Sequence, residues 1–361
     1  MAGPNLLTPD AMRETHGRFE TYLHEFLARH QERYAYGDWV ECLYLDVAEH
    51  VTRKGKRVRP LLFLGSLAAF SDNGESLAEP ALRIAVGVEL LHASILIRDD
   101  VIDRSERRWG LPTFQKQVEG RLGRRAGRER AGQNIAMVVG EILHALAIEC
   151  VAAADFPEER RDLALREFLS LATETCCGMI QETTLGLRDI SRVSAEEIRQ
   201  MYALKTTRYT IEGPLVLGAM LAGASDDTIL AIREFSVPVG LAFQIASDLR
   251  DFGHFDVSDP LFQSDLLEGK KTLLVREAFE RLNECERSFL QLCMDNPSLG
   301  EPSIHKVDEL IRKSGAVAVL EAEVTRLFGM AREILETPVL TPAQRDGLRF
   351  LKACVRSQVA R

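Results

Sequence analysis

The chain has 361 residues, 46% of them hydrophobic and 27% charged, a composition that supports a large buried core. A formal net charge of −9 and a pI near 5.5 argue against non-specific nucleic-acid binding, so any cationic cluster should be a local tool. No N-terminal stretch joins a positive start to an apolar core, and uncharged runs such as 213–225 are too short for a bilayer. A cytoplasmic protein without a transmembrane segment is therefore expected.

Taken in chain order, apolar residues recur at helical spacing over 12–29, 60–69, 81–103, 134–154, 164–184, 195–221, 227–252 and 272–294. No stretch shows the alternation of a strand. Ser194 with Glu197 forms a capping-box pattern, and Thr341-Pro342 puts proline in a first helical turn. The Gly/Arg-rich stretch 120–130 reads as a solvated connection. Seven cysteines, at 42, 150, 176, 177, 285, 293 and 354, lack metal-site spacing and read as buried, reduced thiols. With no repeat and no low-complexity linker, the expectation is one all-α domain over 1–361, a large helical bundle whose polar site lies between facing helices.

Several stretches carry chemistry. Gly55-Lys56-Arg57-Val58-Arg59-Pro60 places three cations at a helix start, suited to phosphate. Asp99, Asp100 and Asp103 end a largely apolar helix, where carboxylates are costly unless paired or metal-bound. Asp99 and Asp103 share a helical face, and together the three offer hard oxygen ligands to magnesium. The bland alternative is a solvated acidic helix end paired with Arg104, Arg107 and Arg108. His92 lies about two turns before Asp99 on the same face. Further along come Lys205-Thr206, Phe243-Gln244 with Ser247-Asp248 and Asp251, and Gly269-Lys270-Lys271-Thr272. Alone, Lys205 would be a solvated lysine and His92 a core histidine.

In order and spacing, these motifs over roughly residues 40–290 resemble the trans-isoprenyl diphosphate synthases, the family that includes geranylgeranyl and farnesyl diphosphate synthases. The resemblance implies the all-α isoprenoid-synthase fold with a central active-site cavity, a homodimer, and condensation of an allylic diphosphate with isopentenyl diphosphate. It implies that Asp99, Asp100 and Asp103, assisted by Asp248 and Asp251, bind several Mg2+ ions. Arg108, Lys205 and Lys271 would contact the allylic diphosphate, with Thr206 and Gln244 beside them. Lys56, Arg59 and His92 would hold isopentenyl diphosphate. Such chemistry separates charge, so metal ions and lysines stabilise the leaving diphosphate while an apolar tunnel excludes water from the cation.

Three positions depart from the family pattern. Trp109 stands where a second arginine is common, Ser247 opens the second acidic motif in place of aspartate, and Arg98 replaces a frequent histidine. Trp109 and Ser247 keep two alternatives open: an enzyme of the same fold that cyclises an allylic diphosphate or uses another acceptor, and a weakly active regulatory subunit. Ser94 and Ile95, one turn before Asp99, form the expected tunnel floor. Neither blocks it as Phe or Tyr would, which favours geranylgeranyl diphosphate or a longer product.

Overall fold

Helical periodicity becomes helix along most of the chain in the computed structural model, which describes residues 7–33, 36–53, 55–71, 78–253, 269–294, 296 and 300–359. In order these are α1 (Pro9–Arg33), α2 (Asp38–Thr52), α3 (Val58–Phe70), α4 (Glu79–Ile102), β1 (Arg107–Arg108), β2 (Leu111–Pro112), α5 (Phe114–Leu122), α6 (Arg128–Ala152) and α7 (Glu158–Gly186). There follow α8 (Ala195–Tyr202), a π-helical segment (Ala203–Glu212), α9 (Gly213–Ala222), α10 (Asp226–Gly253), α11 (Leu273–Arg281), α12 (Glu284–Met294), α13 (Glu301–Ser314), α14 (Ala316–Ile334) and α15 (Pro342–Val359). The fold class is all-α, as expected.

Two compact units are distinguished. The first comprises Met1–Ser170, Gly213–Ile229 and Pro342–Leu351, and the second Leu171–Glu212, Leu230–Thr341 and Lys352–Arg361. In the first unit, α4 is apolar on nearly every face and buries Ile84, Val86, Val88, Leu90, Leu91, Ile95 and Ile97. A helix of that kind belongs inside a core, and each large apolar side chain contributes about 1.5–3 kcal/mol on full burial. It packs on α6, α3 and α5, while α3 packs on α9. In the second unit, α11 packs on α8, α13 and α14.

The structure adds detail that periodicity missed. The run 195–221 is not one helix: its middle widens into the π-helical segment that carries Lys205 and Thr206. The run 272–294 breaks at Leu282, because Asn283 and Glu286 cap α12 reciprocally through their side chains and backbone N–H groups, at 3.3 and 3.0 Å. An Asn cap of this kind is worth about 1 kcal/mol. The expected box at Ser194 and Glu197 is formed, with bonds of 2.9 and 3.2 Å. The expectation of buried thiols needs correction, since Cys177 and Cys285 are exposed.

A tiny antiparallel hairpin pairs Arg107 with Pro112 and Arg108 with Leu111. Trp109 and Gly110 form its turn, both at positive φ, 53° and 77°. That is the two-residue hairpin geometry usually given to Asn-Gly.

Among the described residues, three helical stretches reach the length and hydropathy of a membrane span: Glu79–Ile102, Arg128–Ala152 and Asp226–Phe252. Length and composition alone give them this character, and none is an uncharged run. For α4 the hydropathy has a physical cause in the fold, since 78% of its most apolar window is buried.

Candidate active site

In the first unit the acidic motif 99–103 ends α4 and is tied to the hairpin. Asp100 is fully buried, and its Oδ1 accepts from Arg108 Nε and Nη2 at 2.8 and 2.6 Å. Its Oδ2 is buried with no hydrogen-bond partner among the described residues. Burial, opposed by Arg108 and reinforced by Asp99 and Asp103, holds the Asp100 carboxyl above its ordinary pKa. Gln115 locks the segment after the helix by donating to the carbonyls of Asp100 and Ser105, both at 2.9 Å. Arg53 anchors the hairpin by donating to the Pro112 carbonyl at 3.0 Å while gripping Glu49.

The cation-rich stretch 55–60 divides into two roles. Lys56 is exposed and Arg59 half-buried. Arg57 is buried, donates at 2.6 Å to both Glu20 and Glu89, and stands at φ 44° before α3, so it is a structural staple. Burial, followed by the nearby Arg59, Arg108 and Arg57, holds His92 well below its ordinary pKa, so at neutral pH its ring is uncharged. The expected tunnel-floor residues Ser94 and Ile95 are both buried. Ser94 Oγ accepts from Arg98 Nη2 at 2.7 Å, and a Cβ added at Gly140 of α6 would stand 3.0 Å from Arg98 Cγ.

In the second unit, side chains from the π-helical segment and α10 form a hydrogen-bonded chain. Thr206 Oγ1 donates to Gln244 Oε1 at 2.7 Å, and Gln244 Nε2 donates to Asp248 Oδ1 at 2.7 Å. The Tyr202 hydroxyl donates to Asp248 Oδ2 and accepts from the Leu273 N–H at 3.0 Å. Burial, then Asp248, pushes the Tyr202 pKa well up, so the hydroxyl keeps its proton. Lys205 pairs with Glu182. Gly178 lets the backbones approach, since a Cβ there would lie 2.7 Å from Lys205 Cα. A π-helical turn at such a place often marks function. Lys271 is buried at 1% exposure, whereas Asp251 is exposed and pairs with Arg250.

Sequence reasoning missed Glu182, Tyr202, Gln115 and His50. Tyr202 had a signal, three residues before Lys205. Glu182 had none, because its partner Lys205 is distant in sequence, and neither did His50, a buried histidine near the end of α2 whose ring nitrogens have no hydrogen-bond partner among the described residues.

Among the described residues no three His, Cys, Asp or Glu side chains are gathered as a ready metal cage. The two acidic motifs differ when tested for magnesium. At 99–103 three carboxylates share a helix end and one buried oxygen, Asp100 Oδ2, lacks a partner, so the donor set fits a hard cation. At 247–251 it does not fit: Ser247 brings no charge and accepts from Arg250 at 2.9 Å, and Asp248 already accepts at both oxygens.

An all-α fold with these motifs defines a class, and comparison with known proteins gives the family. The polyprenyl synthetase family pattern matches residues 41–311, and the chain belongs to that family. It is 30% identical over 298 residues to a short chain isoprenyl diphosphate synthase of Methanothermobacter thermautotrophicus, covering 81% of this chain and 83% of the relative. It is 27% identical over 306 residues to a geranylgeranyl diphosphate synthase of Sulfolobus acidocaldarius, covering 82% and 85%. In fold it is similar to geranylgeranyl pyrophosphate synthase from Corynebacterium glutamicum, solved with isoprenyl diphosphate and magnesium. There the TM-score is 0.83 at 24% identity, over 95% of this chain and 98% of that one.

Proposed function

We propose that the protein is a magnesium-dependent trans-prenyltransferase that condenses an allylic diphosphate with isopentenyl diphosphate, giving geranylgeranyl diphosphate or a somewhat longer product. The observation that carries this reading is the buried Asp100, one oxygen bound to Arg108 and the other without a hydrogen-bond partner, between two further aspartates. Family membership and the names of the relatives support it.

Asp99, Asp100 and Asp103 would hold magnesium, which supplies Lewis-acid stabilisation of a departing diphosphate. Arg108 orients Asp100 and presents its remaining N–H groups to the same anion. Lys205, drawn from Glu182 towards a more highly charged partner, binds diphosphate as a point charge. Gln244 and Tyr202 fix Asp248, and the raised pKa of Tyr202 keeps that hydroxyl a donor. Lys56, Arg59 and neutral His92 bind isopentenyl diphosphate, with His92 offering one donor and one acceptor.

A homodimer belongs to the same reading. Met137, Val138 and Ile142 are exposed on α6, and an apolar cleft of about 290 Å³ lies beside them among α1, α2 and α6. Apolar surface of this kind suits a second copy. A same-fold enzyme with another acceptor is the second reading, favoured by Trp109 and Ser247.

The test is calorimetric titration with geranyl S-thiolodiphosphate, an unreactive allylic analogue. Binding should require magnesium and be lost in Asp99→Asn/Asp103→Asn. Equal binding with a chelator present would contradict the assignment.

A further inference from the structure

The second acidic motif is occupied by its own arginine. Arg250 Nη2 donates to Ser247 Oγ at 2.9 Å, its Nε stands 3.5 Å from Asp251 Oδ1, and its Nη1 donates to the Gln358 carbonyl at 3.5 Å. The guanidinium thus reaches the first and last positions of the motif, where a cation-binding aspartate helix would offer carboxylates. Asp248, at the second position, accepts from Gln244 at Oδ1 and from Tyr202 at Oδ2. Its two oxygens are oriented by neutral donors, one of which is held protonated by burial.

Charge points the same way. Two aspartates against one arginine leave the motif at −1, where three aspartates without the arginine would give −3. Magnesium sheds its water reluctantly and needs carboxylates and substrate phosphates arranged octahedrally, and a guanidinium fixed among the ligands repels it. The same guanidinium suits diphosphate well. Its planar fork bonds two phosphate oxygens, its charge is permanent, and it is only half-buried, so its remaining N–H groups can reach a ligand.

We propose that the motif at 247–251 has exchanged a magnesium ion for Arg250, whose guanidinium, steadied by Ser247 and Asp251, binds the substrate diphosphate directly. The metal-holding work then falls to Asp99, Asp100 and Asp103 alone. This rests on the prenyltransferase reading for the identity of the anion. It also gives the Ser247 substitution a reason. An aspartate there would clamp the guanidinium in a second ion pair, whereas a serine hydroxyl holds it with one hydrogen bond and leaves its charge for the ligand.

The experiment counts metal ions on the full-length protein by electron paramagnetic resonance, with Mn2+ as the probe and saturating inorganic diphosphate. Asp251→Asn should leave the number of bound ions unchanged, and Ser247→Asp/Arg250→Leu should add about one, since it restores three carboxylates and removes the cation. Arg250→Gln should weaken diphosphate about tenfold without changing the count, and Arg250→Lys should recover part of that affinity. Loss of an ion in Asp251→Asn, no gain in the double variant, or unchanged diphosphate affinity in Arg250→Gln would each overturn the proposal. The count needs no turnover, so the two readings fail separately. Ions lost in Asp251→Asn from a protein that elongates prenyl chains overturn the arginine exchange alone. The expected counts from a protein that elongates nothing overturn the prenyltransferase reading alone.

Discussion

Replacing His50 by leucine should make the fold less sensitive to acid. His50 lies near the end of α2 at 3% exposure, edge-on to Phe114, and neither ring nitrogen has a hydrogen-bond partner among the described residues. Burial, then the charges of Arg53 and Arg108, lowers its pKa from 6.5 to about 4. The folded pKa lies below the unfolded one, so the unfolded chain takes up the proton first. Stability is therefore full above pH 6.5 and is lost as the pH falls towards 4. At about 1.36 kcal/mol for each pH unit of full linkage, the loss from this one group is about 2 kcal/mol at pH 5 and about 3 kcal/mol at pH 4. His50→Leu removes the titration with little change of volume. Urea unfolding of both proteins at pH 7 and pH 5 isolates the effect, because every other titrating group is common to both. The variant should lose about 2 kcal/mol less than the parent between those two conditions. Equal losses, within about 0.5 kcal/mol, would refute the reasoning.

Other consequences concern the reaction itself. Asp100→Asn should cut elongation about a hundredfold or more, read as kcat at saturating magnesium, because it removes a metal-binding charge and disturbs Arg108. Trp109→Arg should lower KM for isopentenyl diphosphate several-fold by adding a cation to the hairpin turn. An unchanged KM would show that the turn does not reach that substrate. Ser94→Phe should shorten the product, and an unchanged product length would place the floor elsewhere. Gln244→Leu should break the chain from Thr206 to Asp248 and lower kcat, whereas full activity would show that Asp248 needs no such support.

Much of the fold was legible because the core helices advertise themselves. The run 81–103 reads as a buried helix ending in aspartates, and α4 is that helix. The box at Ser194 was visible because capping needs only residues three apart. The π-helical turn around Lys205 was not, because apolar spacing does not separate a π turn from an α turn, and the close approach of Gly178 to Lys205 joins segments far apart in sequence. The hairpin at 107–112 was hidden for a different reason. Its turn uses Trp109 at positive φ, where turn chemistry leads one to expect Asn or Gly. At the site, residue types revealed the aspartates and cations but not their present partners. Arg57 reads like Arg59 in sequence, and only the long-range acids Glu20 and Glu89 mark it as structural. Asp248 likewise reads as a metal position, and sequence does not show that Tyr202 and Gln244 hydrogen-bond its two oxygens or that Arg250 donates to Ser247.

The most direct measurement incubates the purified protein and magnesium with labelled isopentenyl diphosphate plus dimethylallyl, geranyl or farnesyl diphosphate, and identifies every product by chromatography and mass spectrometry. The account predicts label in elongated prenyl diphosphates of about twenty carbons or somewhat more, with formation abolished by a chelator. Allylic substrate consumed without incorporation of label would contradict it and point to cyclisation or another acceptor, and no turnover at all would contradict the assignment of this chain as a synthase in its own right.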